Sequence, residues 1–239
     1  NSGYIIAADH DAARNIKWTN SIITGTRSIF EPADGLHFSG SIPFTVGDCT
    51  DMDYPLVQDF NITIDNCTST DGISNESRAA GYVLAYVQGA HVSNSNASGM
   101  VGGSQSAGFY VTGGLPGGRS SNITLTNNTA ERNGADGSGR SAGFFIRNVS
   151  NDIVLKDNIA NGNGNGLNLD YGAGFLVEAN IADPDAFIKN IDIDNCTAKG
   201  NGNGTDNSGG IVILNIIDDQ LQIPPIENVA VEKSVTKFN

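Results

Sequence analysis

Three residues early in the chain carry side chains suited to acid–base work on a sugar: Asp34, His37 and Arg78. Polyuronate lyases and epimerases need a base that titrates near neutral pH and a cation to neutralise the sugar carboxylate. Glycosidases need two carboxyls, about 5 Å apart for retention or about 6.5–9.5 Å apart for inversion. Asp34 offers one carboxyl, His37 a base and Arg78 the cation. In the equivalent places further along, the aspartate becomes Ala80, Ala107, Ala142, Ala173 and Gly209, so no second carboxylate stands beside it. The plainer reading is a turn aspartate and a solvated imidazole, with His10 and His91 lacking evident partners. A second set forms a row: Arg78, Gln105, Arg140, Tyr171 and Asn207 each lie three residues before a glycine. Such a row, repeating at the spacing of neighbouring strands, suits hydrogen bonds to a sugar chain running alongside. Its plainer reading is ordinary polar turn residues.

These positions make sense only within a repeat. The stretch SNITLTNNTAERNG at 121 returns as NDIVLKDNIANGNG at 151 and KNIDIDNCTAKGNG at 189. Aligning the phrase along the chain equates Ile16, Ile62, Val92, Ile123, Ile153, Ile191 and Val229, spaced 30 to 46 residues apart. Two positions on, Trp18, Ile64, Leu125, Leu155, Ile193 and Val231 are apolar, with Asn94 the exception. The residue between is mostly polar, which is the alternation of a strand with one face buried. Four residues after the first marker come Asn20, Asn66, Asn96, Asn127, Asp157 and Asn195, a row of side chains able to donate to one neighbour and accept from the other. A second marker follows each first: DGLHF at 34, AGYVL at 80, AGFYV at 107, AGFFI at 142, AGFLV at 173 and GGIVI at 209. Two strand types repeating in fixed order, with Asn- and Gly-rich turns, mean a solenoid whose units bury their apolar sides by stacking.

In the second strand Leu36, Tyr82, Phe109, Phe144, Phe175 and Ile211 are expected to point inward. The outward positions read His37, Val83, Tyr110, Phe145, Leu176 and Val212, and all but the histidine are apolar or aromatic. A strand apolar on both faces is usually covered on both. Two covers are open to this stripe. One is the inserts that follow the second strand: residues 39–58, GGLPGGRS, ANIADPDAF and residues 215–225. The other is another copy of the chain, through Val83, Tyr110, Phe145, Leu176 and Val212.

A net charge of −13 disfavours nucleic acid and anionic membranes, and no apolar run approaches the roughly 20 residues of a membrane span. The chain opens on Asn1 with neither a basic start nor an apolar signal core, so the expectation is a mature or excised piece of a secreted or surface-exposed protein. Cys49, Cys67 and Cys196 show no metal-type spacing. Cys67 and Cys196 hold the same slot four coils apart, on the order of 19 Å, beyond the ~7 Å reach of a disulfide, so both should be free. No metal ligand set is evident and no cofactor is expected; calcium is the one left to weigh, on the Gly-rich runs NGADGSG, NGNGNGLNLD and GNGNGTDNSG, which miss the spacing and carboxylate density of calcium sites and read more plainly as outward turns. Nine Asn-x-Ser/Thr triplets arise mostly from the phrase itself.

From Ile16 to Val231, the NITLTNN-type phrase, the asparagine row and the GF or DG strand starts resemble the right-handed parallel β-helix proteins of the pectin-lyase-like superfamily. The chain is also similar, more loosely, to repeat passengers of bacterial surface proteins. The resemblance implies an all-β, right-handed parallel β-helix of about six to seven coils, forming one domain over residues 1–239. It specifies no activity, since that superfamily includes lyases, hydrolases, epimerases, viral fibre proteins and adhesins. The expected function is a non-catalytic module of a surface, fibre or secreted protein that contacts glycans along one side. The alternative is a polysaccharide-processing enzyme, a lyase, epimerase or glycoside hydrolase, with its site near the first insertion.

Overall fold

The computed structural model describes residues 2–7, 14–28, 33–39, 59–113, 119–134, 138–148, 150–166, 168–179, 187–202, 208–215 and 226–237. The described chain is a parallel β-helix solenoid. Three sheets of seven strands each, and a fourth of three, are built entirely from parallel pairings. The long sheet holds Ser2–Ala7, Ala33–Ser39, Arg78–Ala85, Gln105–Thr112, Ser138–Arg147, Asn168–Ala179 and Ser208–Asn215. The middle sheet begins with Lys17–Thr19 and Asp59–Asp65 and ends with Ile226–Glu232. The narrow sheet consists of three-residue strands, from Ile22–Thr24 through Thr129–Glu131 to Val235–Lys237. The turn asparagines therefore lead into a further sheet that the two-strand reading of the repeat omits.

Register follows residue type. Ile123, Ile153 and Ile191 lie opposite one another, as do Leu125, Leu155 and Ile193, and all six are essentially inaccessible. In the long sheet Tyr82, Phe109, Phe144 and Phe175 stack with ring centroids 4.7–4.9 Å apart and nearly parallel planes. That spacing equals the strand separation, so identical rotamers on successive coils must stack. Ala97, Ala130, Ala160 and Ala198 line the narrow sheet's inner side. They are small because Gly81, Gly108, Gly143 and Gly174 approach them from the long sheet; a Cβ on Gly143 would lie 3.0 Å from that of Ala160 and 2.8 Å from the Gly174 carbonyl oxygen.

One coil departs from the expected register. Ala90, not Val92, pairs with Ile62 and Ile123, while Val92 pairs with Ile64 and Leu125. Asn94 is thus the turn residue, and Asn96 opens the next narrow strand. The shift arises because a lone methyl fills the marker slot at Ala90, and Val92 matches the isoleucines better by shape.

The turn column Asn20, Asn66, Asn94, Asn127, Asp157, Asn195 and Lys233 has φ between 47° and 55°. This left-handed conformation costs most L-residues about 1–2 kcal/mol but suits asparagine and aspartate. Their side chains then bond along the column: Asn66 Nδ2 donates to Asn20 Oδ1 at 2.7 Å, Asn127 to Asn94 at 2.7 Å and Asn195 to Asp157 at 2.6 Å. A parallel column within the middle strands, Asn15, Asn61, Asn122, Asp152, Asn190 and Asn228, is also left-handed. The Asn-x-Ser/Thr triplets at Asn61, Asn66, Asn122, Asn127 and Asn195 thus begin on left-handed asparagines.

Both columns are exposed. The buried amides stand beside them and were not distinguished by the repeat alone. Asn158 Oδ1 accepts from the Asn128 backbone N–H at 2.9 Å and from Asn128 Nδ2 at 3.2 Å. Asn133, Asn163 and Asn201 form a second row: Asn163 Oδ1 accepts from Asn133 Nδ2 at 2.9 Å, and Asn163 Nδ2 donates to Asn201 Oδ1 at 3.0 Å and to the Ala130 carbonyl at 2.9 Å. At a sharp corner the backbone groups leave the strand ladder, and the amides satisfy them in place of water. Cys67 and Cys196 occupy the Asn128 column, buried and free as expected. Burial pushes the Cys196 thiol up to about 11.

Candidate functional site

The outer face of the long sheet gathers most of the candidate residues. Arg78 pairs in register with Gln105, Gln105 with Arg140 and Arg140 with Tyr171, so four of the five expected row residues stand side by side. Asn207 lies outside the described residues. Asp34 is opposite Ala80 and His37 opposite Val83, which places both on the coil next to Arg78. Their side chains also lie outside the described residues, as do the first insertion beyond Ser39 and the second beyond Asn215.

The strand carrying this row is sharply bent. Tyr171 faces Arg140, and Glu178 follows Tyr171 by seven residues, about 23 Å along a straight strand. Yet Arg140 Nε lies 3.2 Å from Glu178 Oε2. Only an outward fold of the strand brings the two arms together. Side-chain direction says the same: Phe144 and Ile146 belong to the inner core, whereas Ala142 and Phe145, three residues apart, share an outer cluster. The glycine column sits at the bend. The result is a trough on the outside of the solenoid, with Arg78, Gln105, Arg140 and Tyr171 along one rim.

Its floor is the apolar stripe. Val83, Tyr110, Phe145 and Leu176 are only 0–3% exposed, so within a single chain the stripe is covered; Val212, near the end, is half-buried. Of the two covers open to the stripe, the one at those four positions comes from within the chain. Part of the cover is the row itself. The Arg78 guanidinium lies 4.9 Å over the Tyr110 ring, and Arg140 reaches across to Glu178. Arg78 and Arg140, two of the row's candidate glycan ligands, are turned over the stripe, where cation–π contact and burial of their aliphatic stems hold them.

Glu178 and Arg147 are the site residues that the sequence reading missed. Arg147 Nε donates to Glu178 Oε1 at 3.2 Å, and Arg147 Nη1 to the Tyr110 hydroxyl at 3.5 Å. The Glu178 side chain is fully buried, the arginines 16–23% exposed. Burial pushes the Glu178 carboxyl above its usual value, and Arg147 and Arg140 pull it back only in part. Burial works against the Arg147 charge, but Tyr110 and Glu178 raise it overall. The signal for this pair was present: FFIR and FLVE place opposite charges in one slot of neighbouring coils.

A second concavity of about 350 Å³ is lined by Asn94, Ser95, Asn96, Asn127, Thr129 and Glu131. It holds one carboxylate, so it lacks the acid pair of a glycosidase. Among the described residues no three His, Cys, Asp or Glu side chains gather into a metal-binding group. Comparison of the chain with protein-family models, curated proteins and solved structures finds no match.

Proposed function

We propose that the chain is a non-catalytic β-helix module of a surface, fibre or secreted protein, contacting glycans along the trough rim where Gln105 and Tyr171 alternate with Arg78 and Arg140. The observation that carries this reading is the Arg140–Glu178–Arg147 bridge. Glu178 is the buried carboxylate of the trough, and two guanidiniums hold it where a catalytic acid or base would need to exchange protons with substrate. The same proposal places the chain among pectin-lyase-like β-helix proteins. Its support is that the asparagine columns and glycine–aromatic strand starts recur in matching slots of successive coils.

The enzyme reading keeps one observation in its favour: Asp34 and His37 fall on the coil beside Arg78, along the same bent sheet. A glycan array, with incubation on pectate, alginate and neutral glycans followed by ultraviolet absorbance and reducing-end assays, separates the two. The module reading expects retention of a glycan class, lost in Gln105→Ala/Tyr171→Ala, and no product. Turnover abolished by His37→Ala at an unchanged melting temperature would establish the enzyme instead.

A further inference from the structure

The concavity of about 350 Å³ lies at the corner where the middle sheet turns into the narrow one, and its residues depart from their columns. The outward column of the narrow strands reads Thr68, Asn96, Thr129, Ile159 and Thr197 along successive coils. All but Asn96 are β-branched, the type that a strand surface favours. Asn96 gains no bond in exchange: its Oδ1 is enclosed, and no donor among the described residues reaches it. A residue that breaks its column without a compensating bond marks a functional position.

The turn column beside it is short of a donor as well. Asn127 Nδ2 donates to Asn94 Oδ1, and Asn94 Nδ2 to Asp65 Oδ1, both at 2.7 Å. By the same pattern Asn127 Oδ1 should accept from the following coil, but the residue there is Asp157, whose carboxylate has no N–H to give.

Glu131 supplies the charge. It stands two residues after Thr129 on the same outward face, about 7 Å along the strand. Among the described residues its side chain accepts only from Asn161 Nδ2, at 3.5 Å. Arg132, next in the chain, does not neutralise it. That residue is left-handed, with φ 52°, and its Cγ lies against Gly162 on the following coil, outside the lining of the concavity. An arginine in this conformation is unfavourable, and it keeps the cation off Glu131.

With the ladder donors spent, the concavity presents a carboxylate at one end and the Asn127 carbonyl at the other, with the Asn96 amide and the Thr129 hydroxyl between. A fitting ligand gives several hydrogen bonds and brings no negative charge. One carboxylate is too few for calcium, and an uncharged ligand would desolvate Glu131 without a counter-charge. An ammonium carried on a hydroxyl-bearing body satisfies both ends. The step from Thr129 to Glu131 suits a pyranose ring with its substituents, and Ile159, opposite Thr129 in register and 39% exposed, offers that ring an apolar edge.

We infer that this concavity is a binding site for an amino sugar, its ammonium paired with Glu131 and its hydroxyls bonded to Asn96, Thr129 and Asn127. The site lies on the narrow sheet, apart from the trough on the long one, and does not depend on glycan contact at the trough rim.

The test is an NMR titration of isotope-labelled protein, near neutral pH, with glucosamine, glucose and N-acetylglucosamine, on wild type, Glu131→Gln and Asn96→Thr. Glucosamine is expected to give saturable shifts at the backbone amides of Asn96, Thr129 and Glu131 at millimolar concentration. Loss of the charge pair, in Glu131→Gln or with either uncharged sugar, should weaken binding at least about tenfold. Asn96→Thr restores the β-branched pattern, so it should melt no lower than wild type while binding at least about threefold more weakly. A melting curve on Glu131→Gln confirms the fold. Glucose binding as tightly as glucosamine overturns the inference, as does an unchanged glucosamine affinity in Glu131→Gln or the absence of a saturable shift at those amides.

Discussion

At the scale of single residues, asparagine does two jobs in this chain. Asn127 is exposed and left-handed, so its backbone matters more than its bond; Asn163 is buried, and its amide satisfies its neighbours on both sides. Asn127→Gly should therefore shift stability by only a few tenths of a kcal/mol, glycine being free in that region. Asn163→Ala removes the acceptor of the Asn133 backbone N–H and the donor to the Ala130 carbonyl, while Asn133 Nδ2 keeps its bond to the Ala97 carbonyl; at about 1–3 kcal/mol for each buried group left unpaired, it should cost at least about 2 kcal/mol in urea unfolding. Equal effects for the two would contradict the division of roles. Glu178 gives a pH test. Its carboxyl pKa is raised in the folded state, chiefly by burial. Between the ordinary carboxylate value and the raised one, the folded chain holds a proton that the unfolded chain has released. Stability should fall as pH rises through that window. In Glu178→Gln this component of the slope should vanish, while two arginines are left without their carboxylate; melting followed from pH 4 upward, the ordinary carboxylate range, would show an unchanged slope if the residue does not titrate there.

At the scale of elements, each coil is held by small residues as much as large ones. Phe144 lies between the rings of Phe109 and Phe175, and Phe144→Ala should cost about 3–5 kcal/mol through the cavity it leaves. Gly143→Ala should destabilise by a comparable route of opposite sign in volume, because its methyl meets the Gly174 carbonyl at 2.8 Å and Asn163 Nδ2 at 2.9 Å. Denaturant midpoints for the pair check both, and a neutral Gly143→Ala would mean that the long and narrow sheets are not in contact there. The inward residues of both strand types were legible in the sequence because period-two alternation and identical spacing leave few registers. What was illegible has specific causes. Ala90 is too small to announce a core position. The paired letters Asn127 and Asn128 do not show which one turns inward. The outward bend is invisible because a glycine column is compatible with a straight strand or a bent one. The register of the row Arg78 to Tyr171 was therefore legible, whereas the bend that carries Arg78 and Arg140 across the trough was not.

At the scale of the whole molecule, stability comes from stacking near neighbours, and the columns of rings, aliphatic groups and amides share one register. Each coil thus depends on the coils above and below it. That shared register underlies the trough, the buried amide rows and the amide-lined concavity alike. Its most direct test is a nuclear Overhauser measurement on protein with selectively labelled phenylalanine rings. The stacked register requires contacts between the ring protons of Phe109 and Phe144, and of Phe144 and Phe175, whose centroids lie 4.9 and 4.8 Å apart. It allows none between Phe109 and Phe175, two coils apart. A direct Phe109–Phe175 contact, or none between the neighbouring pairs, would contradict the account.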